Sequence, residues 1–270
     1  MLLQRSEDLV LAEARDTTNR VARTFSLACR LLPRDVRDDV YRLYLVFRTL
    51  DDLVDDGDPR AAARLAQVQV WCRTGATQSR EAHVLADLAT RHPIPRDALL
   101  DFCAGMWFDL DGGRCTTEED LDLYCYRVAG TVGIVMASVL GFDGDEAEVR
   151  RTAAALGMAM QRTNVLRDID EDGDAGRMYL AAETVARFGG CAPGRREALL
   201  RDQIARADAL YDQGLAGVRH LRRGRVAIRA AASMYREILR QIERDGYGSR
   251  AGRAVVPARR KLLAVARAGV

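Results

Sequence analysis

Two short acidic ladders on otherwise apolar helical patterns constrain this chain more than any other feature. In Asp51-Asp52-Leu53-Val54-Asp55-Asp56, the pairs Asp51/Asp55 and Asp52/Asp56 stand one helical turn apart. In the stretch from Gln161 to Asp172, residues Gln161, Asn164, Asp168 and Asp172 follow i, i+3, i+7, i+11 spacing, so two amides and two carboxylates share one stripe of a single predicted helix. Like charges one turn apart destabilise a helix, and carboxylates ~5 Å apart repel by ~3 kcal/mol at an effective dielectric of ~20. The first ladder also ends its helix, where the dipole disfavours acids. Each stripe must therefore face something, and a cation is the simplest repair.

The remaining composition narrows the setting. At 270 residues and 48% hydrophobic content the chain can bury a large core. Its net charge of +2, from 41 basic and 39 acidic residues, gives no global field of the kind a nucleic-acid binder carries. The six cysteines lack a CxxC pair and the three histidines are far apart in sequence, which argues against a thiolate or imidazole zinc site and fits a reduced, cytoplasmic protein. The N-terminus is charged within eight residues and has no signal-peptide core. The longest uncharged run, Val128 to Phe142, is 15 residues, short of the ~20 needed to cross a bilayer, so a soluble or peripheral protein is expected. The basic stretch from Arg250 to Arg267 reads first as a solvated helix, and second as a surface with weak attraction for anionic lipid.

Helical periodicity covers almost everything. Helices are predicted over 5–30, 35–56, one or two surface-facing ones within 60–91, 96–111, from Leu121 to the Gly141/Gly144 break, 146–172, 181–188, 194–223 and 226–245. Leu100, Cys103, Trp107 and Leu110 are expected to face inward, and Thr117-Glu118-Glu119-Asp120 has the form of a capping start. Gly130 and Gly133 lie inside a helix at a cost of ~1 kcal/mol each relative to alanine, which implies close approach of a backbone or ligand, or a kink. No stretch alternates with period two between hairpin signals. The expectation is an all-α fold and a single domain over residues 1–270, with no repeat or linker.

Four segments, FRTLDDLVDD, YCYRVAGTVG, QRTNVLRDIDED with GRMYL, and YREILRQIERDGY with VPARRKL, occur in the order found in the squalene/phytoene synthase family. The chain resembles that family over roughly residues 20–265, and within it the bacterial phytoene synthases. The resemblance implies the isoprenoid synthase fold, a helical bundle around a central apolar cavity. It implies head-to-head condensation of two prenyl diphosphates through a cyclopropyl diphosphate, most simply two geranylgeranyl diphosphates to phytoene. Magnesium, with manganese as the alternative, would be held by Asp51, Asp55, Asp168 and Asp172, because a hard cation prefers carboxylate and phosphate oxygens. Arg48, Arg167 and Arg177 would bind diphosphate through guanidinium forks. Tyr124 would support the cation chemistry or proton transfer, Gln161 and Asn164 match the amides before the second ladder, and Phe25 would line the pocket. Two departures are Leu180-Ala181, where the family often has Leu-Pro, and Asp174, where a basic residue is common.

The alternatives share the scaffold. Dehydrosqualene or squalene synthesis would use farnesyl diphosphate, with NADPH only for squalene, and a terpene cyclase would ionise a single diphosphate. An inactive assembly factor would tolerate loss of the aspartates. Expected partners are the prenyl diphosphates and no nucleic acid, with peripheral membrane contact in second place, for a monomer or a homodimer.

Overall fold

A computed structural model describes residues 2–21 and 23–267. Among the described residues fourteen α-helices follow one another: α1 Leu2–Val21, α2 Arg23–Cys29, α3 Arg34–Asp55, α4 Ala61–Thr74, α5 Arg80–Ala89, α6 Arg96–Leu110, α7 Glu118–Cys125, α8 Thr131–Leu140, α9 Glu146–Arg167, α10 Ile169–Asp174, α11 Ala182–Arg187, α12 Glu197–Gly217, α13 Arg225–Arg244 and α14 Ala258–Arg267. Among the described residues the only extended pairing is an isolated bridge between Phe142 and Leu221, so the expected all-α architecture holds. Local signals act where expected. Pro33 starts α3 in extended geometry, and Thr117 and Asp120 form a reciprocal capping box at the start of α7.

Helix α9 is the axis of the bundle, with α8 on one side and α12 on the other. The glycines let it approach α8 closely. A Cβ at Gly133 would lie 2.3 Å from the Ala153 carbonyl oxygen, and one at Gly157 would lie 2.1 Å from that of Ala129. The intrahelical glycine cost is thus offset by backbone contact between α8 and α9. Between α7 and α8, Tyr126–Gly130 forms a wider π turn, which the spacing of YCYRVAG does not reveal. The stretch Glu118–Leu140 is long and apolar enough to cross a membrane, but 56% of its most apolar window is buried inside the protein.

One buried network fixes α9 in rotation. Arg162, 2% exposed, donates to Asp122 Oδ1 (3.1 Å), Gln203 Oε1 (2.8 Å) and Glu118 Oε2 (3.0 Å), tying α7, α9 and α12 together. With Arg162 committed to that side, its neighbours Gln161 and Asn164 turn to the other.

Three expectations change. The Gln161 to Asp172 stretch is two helices, because Asp168 departs from helical geometry (φ −104°, ψ 11°) between α9 and α10. There Arg167 forks onto its neighbour Asp168, Nε to Oδ1 at 2.8 Å. Adjacent residues do not face one another on a regular helix, so this pairing goes with the opened turn. Helix α6 buries Leu99, Phe102, Cys103 and Met106, while Leu100, Trp107 and Leu110 are only half-buried. Apolar side chains fall on more than one of its faces, so periodicity alone misassigns the buried one. Within 60–91, Leu65, Trp71, Leu85 and Leu88 are fully buried, so these helices are core elements as well as surface ones.

Candidate active site

A cavity of about 340 Å³ runs alongside α9. Its lining extends from Val149 to Asn164, which is ~22 Å at a rise of ~1.5 Å per residue. Apolar side chains from α3, α6, α8 and α9 form its walls, Phe47, Phe102, Met136 and Leu156 among them. At the α9 C-terminal end the lining becomes polar, with Arg48, Asp51, Gln161, Asn164 and Tyr235. Phe25 lies on the wall and stacks on Tyr44, ring centroids 5.0 Å apart. A second hollow of about 510 Å³ lies beneath the loop after α13, lined by Arg167, Asp170, Arg196 and residues 244–254. It is larger but strongly polar, and Arg196 closes onto Asp170 there (2.6 and 2.7 Å), so an apolar chain belongs in the first.

The mouth gathers acid from three helices. Asp51 is pushed up to about 6 by desolvation first and by the Asp55 carboxylate second, against the pull of Arg48. Its side chain is still 42% exposed, so the crowding acts from the protein side of an open mouth. Asp172 is likewise pushed up to about 6, by desolvation, then Asp168, with Asp55 contributing from across the mouth. Asp109, on α6, is pushed up to about 7 by burial, against a hydrogen bond from Tyr124, with Asp55 and Asp51 adding to the rise. The two ladders therefore face each other closely enough to feel each other's charge. Arg177 spans them directly, its Nη1 3.0 Å from Asp55 Oδ1.

Guanidinium groups satisfy much of this acid. Arg48 pairs with Asp51 (3.0 Å) and with Asp52. Asp168, 17% exposed, is held by Arg167 and by Arg253 (3.1 Å), and Arg253 also reaches Glu171 (3.3 Å). Among the described residues no three acids already converge as a coordination sphere. The donor set nevertheless fits a hard divalent cation: Asp51 and Asp172 held toward protonation by desolvation first and then by neighbouring carboxylates, and a buried Asn164 Oδ1 with no hydrogen-bond partner on the same cavity lining as Asp51. Asn164 Nδ2 donates to Gln161 Oε1 at 3.2 Å, which leaves that oxygen turned away.

The expected site residues thus divide. Arg48, Asp51, Gln161, Asn164 and Phe25 line the cavity. Asp55, Asp172 and Arg177 adjoin its mouth through their mutual charge interactions. Arg167 lies on the second hollow with its guanidinium on Asp168, away from the apolar wall. Tyr124 is buried behind the wall, stacked on Tyr179 (5.0 Å between centroids), and its hydroxyl donates to Asp109 Oδ2 at 3.2 Å. Sequence reasoning did not select Asp109, Tyr179, Tyr44, Tyr235 or Arg253. The one available signal was at Asp109, which with Trp107 falls where the resemblance has a substrate-facing helix.

Known proteins place this geometry. The sequence profile of the squalene/phytoene synthase family matches residues 18–260. The 15-cis-phytoene synthase of Synechococcus elongatus is 34% identical, over 94% of this chain and 90% of that protein. The phytoene synthase of Thermus thermophilus is 37% identical, over 91% and 87%. Among solved structures, a ligand-bound dehydrosqualene synthase superposes with a TM-score of 0.88 at 26% identity, over 98% of this chain and 97% of that one. A squalene synthase from Alicyclobacillus acidocaldarius gives 0.77 at 25% identity, over 90% and 96%. The helical bundle, its acid-mouthed apolar cavity and the near full-length matches lead to one conclusion: the chain belongs to the squalene/phytoene synthase family.

Proposed function

We propose that this chain is a prenyltransferase that condenses two geranylgeranyl diphosphates head to head into phytoene, with release of two diphosphates. The observation that carries this reading is the pair of acidic ladders facing each other at the polar end of a ~22 Å apolar cavity. The cavity accepts an isoprenoid tail, and the ladders meet its charged head. Relatives named phytoene synthase, matched over nine-tenths of the chain, support the same substrate and product.

In this reading Asp51, Asp55, Asp168 and Asp172 hold magnesium, with Asn164 Oδ1 beside them. Bound there, the metal would neutralise the diphosphate leaving group. The chain's own residues do the rest. Arg48 and Arg177, drawn off their carboxylates, bind diphosphate oxygens as each allylic C–O bond breaks. Phe25, Tyr44 and Phe47 present aromatic faces to the resulting cation, and the apolar walls keep water from quenching it. The first condensation forms the cyclopropane and releases a proton. The second ionisation opens the ring, and loss of another proton gives the central double bond without a reductant. Tyr124, with its hydroxyl fixed by Asp109, orients the polar side of this step.

A second reading, dehydrosqualene synthesis from farnesyl diphosphate, is favoured by the close superposition on a dehydrosqualene synthase. Incubating the purified chain with each diphosphate, with and without NADPH, and separating the hydrocarbons distinguishes them. Phytoene from geranylgeranyl diphosphate without NADPH is expected. A cyclic product from one diphosphate, or condensation only with farnesyl diphosphate, would overturn the proposal.

A further inference from the structure

The second acidic motif carries more carboxylates than its ladder uses. Asp170, two residues before Asp172, turns to the other side of α10 and lines the second hollow. There it meets Arg196, whose side chain is only 4% exposed, in a two-pronged pair: Nη1 to Oδ1 at 2.6 Å and Nη2 to Oδ2 at 2.7 Å. Arg196 stands immediately before α12, so the pair ties α10 to the start of that helix.

The same two side chains grip the loop after α13. Asp170 Oδ2 accepts the Gly252 N–H at 2.7 Å, and Arg196 Nη2 donates to the Arg250 carbonyl at 3.4 Å. Gly248, at φ +69°, lies against the guanidinium, where a Cβ would stand 2.1 Å from Arg196 Nε. Its carbonyl accepts the Gly194 N–H at 3.0 Å. One residue beyond Gly252, Arg253 reaches back to the ladder, with Nε 3.1 Å from Asp168 Oδ1 and Nη1 3.3 Å from Glu171 Oε2. The Arg253 side chain is 44% exposed, and ion pairs that open to water hold a side chain weakly. The buried grip on its neighbour is the stronger constraint, because opening it would strand the Arg196 charge away from water.

We infer that Asp170 is a positioning residue: paired with Arg196, it anchors the loop after α13 so that the Arg253 guanidinium stays beside Asp168. The inference rests on the reading of the second ladder as a metal and diphosphate site. A fixed positive charge beside that ladder acts in two directions. It opposes a divalent cation that arrives alone, and it favours one that arrives with diphosphate, whose negative charge exceeds the charge of the metal. A pair that served stability alone would move neither affinity. Asp170 and Arg196 carry opposite charges, so removing both leaves the net charge of the region unchanged, and a change in ion binding then comes from the loop.

The test uses the full-length chain. Manganese binding is counted from the paramagnetic resonance of the free ion, and magnesium diphosphate binding is measured by titration calorimetry. In Asp170→Ala/Arg196→Met, manganese should bind about fivefold tighter and magnesium diphosphate about fivefold weaker than in the parent, while hydrogen exchange over residues 246–254 speeds up. Arg253→Met should give the same two shifts, and adding it to the double variant should change them little further. Gly248→Ala drives a methyl group into Arg196 with no change of charge. It tests the same anchor should the buried pair prove necessary for folding, and should move both affinities in the same directions as the double variant. Affinities like the parent's in the variants, or shifts of one sign for both ions, would overturn the inference. If the parent binds both ions and the variants match it, the anchor alone fails; if the parent binds neither, the reading of the ladder fails and the inference with it.

Discussion

Two charged clusters flank α9, on different faces, and they behave oppositely. Around Arg162 every group is answered from within the chain. Burial alone would push Glu118 up, but hydrogen bonds from Thr184, Arg162 and Gln203 outweigh it and hold the carboxyl below its usual range. At the cavity mouth, Asp51 and Asp172 are pushed up to about 6 and Asp109 to about 7, even with Arg48 and Arg177 at hand. A cluster that the chain satisfies itself stabilises the fold. One that it leaves strained is shaped for something the chain does not supply. The first is therefore a structural clamp, and the second is where the proposed function puts a cation and an anionic substrate.

That contrast can be broken by mutation. The largest effect is expected at the mouth: Asp51→Ala or Asp168→Ala should lower turnover by about 10³-fold or more, with helicity by circular dichroism unchanged. Retained activity in both variants would sink the metal assignment. The clamp should show the reverse. Arg162→Met leaves Glu118 buried without its partner and should cost about 3–5 kcal/mol of stability in a urea titration. Adding Glu118→Gln to that variant should recover part of the loss. If Arg162→Met were as stable as the parent, the clamp would not be structural. Tyr124→Phe should be milder, about tenfold in turnover with little change in stability, because it removes one hydrogen bond to a carboxylate.

The difference between the clusters also marks how far the sequence could be read. The ladders, the helix order and the close approach at Gly133 followed from spacing and local cost. The break at Asp168 did not, because i, i+3, i+7, i+11 spacing is the same whether the helix continues or opens for one residue. Nor did the separate fates of Arg162 and Arg167, two arginines in one motif. Arg162 is buried in a three-helix network, and Arg167 forks onto its neighbour Asp168. Only tertiary contacts distinguish them. Asp109 escaped selection because nothing in the sequence separates it from the other acids of α6, Asp97 and Asp101. Its partners Tyr124, Asp51 and Asp55 come from α7 and α3.

The strained mouth has a pH signature. Raised folded-state values mean that the folded protein binds more protons than the unfolded chain between ~4 and 6–7, so metal-free stability should fall as pH rises through that window. A bound divalent cation should reverse the trend, because it favours the ionised carboxylates. The most direct test of the account is the melting temperature at pH 5 and pH 8, with EDTA or with magnesium, for the parent and for Asp51→Asn/Asp172→Asn. Magnesium should raise the parent's melting temperature at pH 8, much less at pH 5, and not at all in the double variant, which should itself melt higher than the parent in EDTA at pH 8. An equal magnesium effect in both proteins, or none in the parent, would contradict it.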